Sequence, residues 1–480
     1  MNKIYTLSGF IAFLFVSFSC FEDKGSYDLT ALQDISFATT SDSVYVMIGN
    51  NFDIAIETET SIPEADLKYM WYLSGEFGSI DTLANTKYLT ELVTLEPGEY
   101  DLCLEVLNTN NNVRYQECLK VFVETPFSSG LCILKDEEGK ARFDFISSIG
   151  EYRYYSNVCR NITKEELDGE PVKIDVADSR SGYYNIVSVI TSTGGLVLDG
   201  YSMEKEFAIL DEFISTEHLD SYRPITGGFL ETFAFGWSKF ATVIAGGKVF
   251  TKQISNSDIR SGYWEAPVDG DYHVKHVASQ DWPLMQLFYD ELNQKYTYLI
   301  RDNTIKMVDV TVENPDELAF DPANVGKECL WMETATKWYW VSRDLTFAIM
   351  KDDVGKFYLQ QFWYKERTEE FVAEYEMPFP EGSVDDNSKF VCNYAYPYVY
   401  VSQANRVHRY NSTTNFLEQD WLVLNNNVIS MGVSNNGGEL AIATQVGADS
   451  KVALYNMLSS AYPVISSWDV KGVVKDLKFK

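Results

Sequence analysis

From about residue 126 onward the chain repeats one pattern: an apolar run, a turn built on Gly, Asn or Asp, and a second run that alternates apolar with polar residues. Alternation with period two puts one strand face on a core and the other toward solvent, so each unit predicts a β-hairpin. The units are "GLCILKDEEGKARFDFIS", "GLVLDGYSMEKEFAIL", "FATVIAGGKVFTKQIS", "LFYDELNQKYTYLIRDNTIKMVDV", "KWYWVSRDLTFAIMKDDVGKFYLQQFW", "YPYVYVSQANRVHRYNSTTN" and "GELAIATQVGADSKVALYNM". Spread over residues 127–480 they leave about 50 residues each, the length of a four-stranded propeller blade. Gly246-Gly247, Asp302-Asn303 and Gly447-Ala448-Asp449 mark turns inside three of them. Seven blades fit best; without a WD or kelch signature, six or eight also fit. The tail "GVVKDLKFK" is one more alternating strand, expected to complete the blade that begins near Leu131 and close the ring.

Ahead of this repeat, residues 29–125 show shorter alternating strands: "SVYVMI" and "FDIAIE" around Gly49-Asn50-Asn51, then "LKYMWYL", then "LEPGEYDLCLEVL". A tryptophan in a middle strand (Trp71), followed by Gly-x-Tyr (Tyr100) leading into a late strand, is the pattern of an Ig-like sandwich. The expected fold is therefore all-β, a sandwich over 29–125 followed by a propeller over 126–480. Cys103 and Cys118 flank the Asn-rich turn of "YDLCLEVLNTNNNVRYQECLKVFV", and counting outward from Asn110-Asn111 sets them opposite one another. A cross-strand disulfide and a pair of reduced thiols both fit that register.

The first residues follow a different logic. Lys3 precedes a mostly apolar stretch, Ile4 to Val16, too short to span a bilayer and suited to a secretory signal of residues 1–19. No later apolar run is long enough for a span. Ser17-Phe18-Ser19-Cys20 resembles a bacterial lipobox, with Ser17 where leucine is usual. That resemblance implies acylation (palmitate-type chains) at Cys20, which anchors the protein to a membrane without crossing it. Glu22, Asp23 and Lys24 follow in an acidic tether of residues 20–28 and resemble the signal that exports Bacteroidetes lipoproteins to the outer face of the outer membrane. The whole stretch "CFEDKGSYD" resembles the N-terminus of the PKD-like lipoproteins of that phylum, and "PGEY" with Leu102, Leu104 and Val106 is similar to the PKD subset of the Ig fold. The resemblance implies a cell-surface, lipid-anchored protein of the outer membrane with a propeller behind the PKD-like module.

Charge narrows the partners. A formal net charge of −31 repels phosphate backbones and argues against nucleic acid. No Cys-x-x-Cys, G-x-S-x-G, P-loop or H-E-x-x-H occurs among the 480 residues. Of the histidines His218, His273, His276 and His408, the i, i+3 pair His273/His276 points to opposite faces of a strand and makes a poor zinc site. "PVDGDYH" (Asp269, Asp271) and "SVDDNS" (Asp385, Asp386, Asn387) offer oxygen ligands for Ca²⁺ but complete no loop motif, so no cofactor is expected. Rings beside Asp, Gln or Asn suit sugar stacking: Tyr263 and Trp264 in "RSGYWEAP", Trp282 in "SQDWPLM", Trp421 in "EQDWLVL". For any single Trp, wedging between blades is the favoured role. The leading reading is a non-catalytic glycan-binding or accessory component of a nutrient-uptake complex beside a TonB-dependent transporter. A propeller lyase or glycoside hydrolase and a protein-docking module are the rivals.

Overall fold

The computed structural model describes residues 35–38, 41–54, 56–74, 80–178, 185–214, 230–235, 238–254, 262–279, 286–302, 304–312, 314, 317–335, 345–365 and 370–480. Cys20, Glu22, Asp23, Lys24, His218 and Trp282 lie outside the described residues. The chain divides into two compact units, one dominated by Asn50–Val93 and Glu99–Val121, the other by Phe122–Lys480.

The first unit is a sandwich. One sheet runs in the order Ser43–Met47, Val113–Glu124, Gly98–Asn108, Leu67–Ser74, Ile80–Ala84; the second pairs Ile35–Ala38 with Glu57–Thr60. Trp71 lies opposite Leu104 in the central pair and is fully buried, its indole N–H donating to the Thr86 carbonyl at 3.0 Å. Leu102, Leu104 and Val106 are inaccessible to solvent, as their alternation demands. The turn between the two long strands spans four residues, with Asn112 in the left-handed region at φ 59° and its N–H on the Asn108 carbonyl. Cys103 and Cys118 face one another across this pair and are joined in a disulfide, their Cα atoms 4.1 Å apart.

The second unit contains seven antiparallel sheets among the described residues. Their first strands are Val473–Phe479, Pro171–Asp178, Leu230–Phe235, Val274–Ser279, Glu328–Ala335, Phe390–Cys392 and Val428–Val433, for blades one to seven in order. Each of the seven repeat units read from the sequence falls in a different sheet. Blade one takes its first strand from the far end of the chain: Val473–Phe479 pairs antiparallel with Gly130–Glu137, Phe479 opposite Leu131. Lys480 N–H then donates to the Gly130 carbonyl at 2.9 Å, sealing the pair.

Neighbouring residues on one strand serve opposite junctions, which is why these strands read as apolar runs rather than as clean alternation. Ala348 packs with Tyr296 toward blade four, whereas Ile349 packs with Val399 toward blade six. Similar clusters fill every junction: Phe145 with Ile174, Val197 with Val243, Ile244 with Phe288, Tyr400 with Leu440, and finally Leu454 with Ile133 and Leu477. Seven sheets and seven such junctions make a closed β-propeller. Gly247 shows the packing tolerance at one turn. It sits at φ 78°, and a Cβ there would collide with the His273 ring of the next blade.

Candidate functional site on the ring axis

First strands of six of the seven adjacent blade pairs lie side by side among the described residues, the pair of blades three and four excepted, so their side chains meet at the ring axis. Six of the seven first strands carry a register shift near their start, the exception being Phe390–Cys392. A bulge re-aims the side chain that follows it. The residues resuming register are Lys173 in blade two, His276 in four, Trp331 in five, Ser430 in seven and Asp476 in one. Two residues further, on the same side of each strand, come Asp175, Ala278, Glu333, Gly432 and Lys478. Each row thus mixes charged or polar groups (Lys173, His276, Ser430 and Asp476; Asp175, Glu333 and Lys478) with Trp331, Ala278 or Gly432.

The inner contacts follow these rows. Lys478 of the closing strand reaches Glu333 Oε1 at 3.3 Å and the Tyr394 hydroxyl at 2.9 Å. The Tyr394 hydroxyl donates to Glu333 Oε1, and the Cys392 N–H donates to Oε2 at 3.1 Å. Lys478 passes blade seven where the strand carries Gly432; a Cβ at that position would lie 3.0 Å from the Leu477 carbonyl oxygen. Lys173 pairs with Asp175 Oδ1 at 2.8 Å, and Asp476 Oδ2 accepts the Ile174 N–H at 2.7 Å. Asp175 is buried and its Oδ2 has no hydrogen-bond partner.

These groups are hemmed in by protein yet reachable by water: 34% of the Lys478 side chain and 19% of that of Glu333 remain accessible, as in a narrow polar channel. Their protonation reflects that setting. Burial pushes the Asp476 carboxyl up to about 6, against the pull of the Ile174 N–H and of Lys173 and Lys478. Burial likewise works against the charge on Glu333, but Lys478, Tyr394 and the Cys392 N–H outweigh it and hold the carboxyl below its usual range. Lys478 also loses hydration, yet Tyr394 and Glu333 keep it charged. His276 is driven down to about 4 by burial, then by Lys275 and Lys173, and is neutral at physiological pH.

The aromatic positions singled out from the sequence are dispersed differently. Trp264 is not an exposed platform; it takes the wedging role favoured for each Trp. It is fully buried between blades two and three against Phe213 and Phe250, and its backbone N–H donates to the Glu212 carbonyl at 2.8 Å. The bridge between Phe213 and Trp264 draws that segment into the core, which pattern alone did not reveal. Tyr263, its neighbour, is 61% exposed. Trp421 is half-buried against Tyr400 and Tyr462, with the Arg409 guanidinium 5.2 Å from its ring. The second acidic turn is occupied by donors: Asp385 accepts the Asn387 N–H at 2.8 Å, and Asp386 takes Lys351 at 2.6 Å. Among the described residues no group of three or more His, Cys, Asp or Glu is placed to hold a metal ion.

Of the axial residues only His276 was named from sequence, as half of a poor zinc pair. The usable signal was charge at alternate positions inside strands that are paired and packed: Lys173 and Asp175 in "PVKIDVAD", Asp476 and Lys478 in "VVKDLKF". Buried charges of that kind need partners, and here the ring supplies them from other blades.

Comparison with known proteins bears on the first third of the chain. Residues 20–171 match the PKD-like family. The match therefore runs beyond the sandwich, through blade one to the start of blade two. No curated protein matches. Among solved structures, a quinonprotein alcohol dehydrogenase-like protein from Bacteroides thetaiotaomicron is similar at TM-score 0.45 and 12% identity, over 94% of this chain and 99% of that one. A dihydro-heme d1 dehydrogenase is similar at TM-score 0.39 and 7% identity, over 85% and 74%. The propeller domain of a Swd1 protein from Myceliophteria thermophila is similar at TM-score 0.40 and 12% identity, over 63% and 87%.

Proposed function

We propose that this protein is a lipid-anchored binding component of the outer-membrane surface, held by Cys20, exported through Glu22-Asp23-Lys24, and serving a glycan-uptake system beside a TonB-dependent transporter. The observation that carries the binding role is the ring axis, where polar groups from five blades converge and Asp175 Oδ2 is left without a partner. The Cys103–Cys118 disulfide supports an oxidising, extracytoplasmic setting. Metabolic labelling with a fatty-acid probe tests the anchor, with label expected on the wild type and lost in Cys20→Ala. Protease shaving of intact cells tests export, with Glu22→Ala/Asp23→Ala expected to be protected; equal digestion of both counts against the signal. Binding of the purified protein to a polysaccharide array tests the ligand class.

A second reading has its own observation. Asp476 is pushed up to about 6 while Glu333 is held down, and carboxyls driven apart in this way suit acid and base roles in glycan cleavage. Release of reducing ends or unsaturated products from polysaccharide, abolished in Asp476→Asn, would favour an enzyme.

A further inference from the structure

Resting on the binding role above, we infer that the ring axis is where ligand is held, and that it takes an uncharged, hydroxyl-bearing end of a saccharide through Asp175, Lys173 and Lys478. Counting bonds leads there. An ammonium has three N–H donors. Lys478 commits two, to Glu333 and Tyr394, and Lys173 commits one, to Asp175 Oδ1. Both oxygens of Glu333 are engaged, and the Asp476 oxygens accept the Ile174 and Leu477 N–H groups at 2.7 and 3.0 Å. What remains is one N–H of Lys478, two N–H groups of Lys173 and, on the carboxylate that Lys173 pairs with, one unpartnered oxygen, Asp175 Oδ2, in a residue only 7% exposed. A buried acceptor left bare is costly unless something donates to it.

Charge then selects among ligands. An anionic group would satisfy the lysines but meet Asp175, Glu333 and Asp476. A cation would satisfy Asp175 but meet Lys173 and Lys478. A hydroxyl accepts from the one and donates to the other without unbalancing either. This places recognition on the axis rather than at the exposed ring of Tyr263.

The experiment is calorimetric titration of the purified mature chain with neutral hexoses and disaccharides, with the matching uronates and amino sugars as charged counterparts. Neutral sugars should bind most tightly. Asp175→Asn and Lys173→Met should each weaken them at least tenfold, and Tyr263→Ala should leave affinity unchanged. Melts run alongside identify any variant that does not fold; Lys173→Met carries the test if Asp175→Asn fails. Tighter binding of the uronate or amino sugar overturns the inference, as does unchanged affinity in the axial variants. If polysaccharide binds the array but axial variants bind it equally, the axis falls and the binding role stands. If no sugar binds the wild type, both fall.

Discussion

Asp476→Asn should make the propeller more stable at neutral pH and leave it unchanged in acid. The carboxyl is pushed from its usual 3.8 up to about 6, chiefly because the axis strips its hydration. Below pH 4 it is protonated whether the chain is folded or not, and it costs nothing. Between pH 4 and 6 the unfolded chain releases the proton while the folded ring retains it, so stability falls as pH rises. Above pH 6 the folded state carries the full cost of an under-solvated carboxylate. A gap of roughly two units, at about 1.4 kcal/mol per unit, sets an upper bound of about 3 kcal/mol. Asparagine keeps an oxygen for the Ile174 N–H and carries no charge, so it should recover most of that amount at pH 7.5 and none at pH 4. In a unit of this size the gain corresponds to a few degrees in melting temperature. Glu291, pushed up to about 7 by burial, and His276, driven down to about 4, also titrate, but they do so in both proteins and cancel in the difference. The assay is a pair of thermal or urea melts at half-unit steps from pH 4 to 8. An offset that does not change with pH, or a variant weaker than wild type at pH 7.5, would refute the reasoning.

Three further outcomes test the architecture. Removing Val473–Phe479 takes Leu477 and Phe479 from the junction of blades seven and one and exposes two sheet edges, so the truncated ring should melt far lower or not fold; an unchanged melt would rule out closure by this strand. Trp264→Ala should cost about 3–5 kcal/mol as a large core truncation, whereas Tyr263→Ala should stay within about 0.5 kcal/mol, and equal melts for the two would contradict the burial assigned here. Lys478→Met strands Glu333 among Tyr394 and the Cys392 N–H and should cost about 3 kcal/mol, most of it restored when Glu333→Gln is added; a double variant no better than the single would show that the pair is not coupled.

The fold was legible because its physics is local. Hairpins such as Gly130–Glu137 with Lys140–Ser147 announce themselves by a turn and two apolar runs, and the strand Val473–Phe479 is recognisable by its own alternation. The sandwich was legible for the same reason, through Trp71 and the strand that carries Leu102, Leu104 and Val106. For Trp264 the sequence offered both a platform and the favoured wedge, and could not place it between particular blades, because its burial comes from a bridge to Phe213, 51 positions earlier in the sequence, where no local pattern reports the contact.

The axial site stayed hidden for a related but deeper reason. Its members come from strands more than 300 positions apart in sequence, and only closure brings Asp476 and Lys478 beside Lys173 and Asp175. In an open chain "VVKDLKF" is an ordinary charged strand; inside the ring the same lysine completes a bond set with Glu333 and Tyr394 from blades five and six. The strand that shuts the propeller thus also supplies a cation and a carboxyl to its centre. Ligand affinity and ring closure should therefore respond together: any change that loosens Val473–Phe479 from Gly130–Glu137 dismantles the axis before it unfolds the blades.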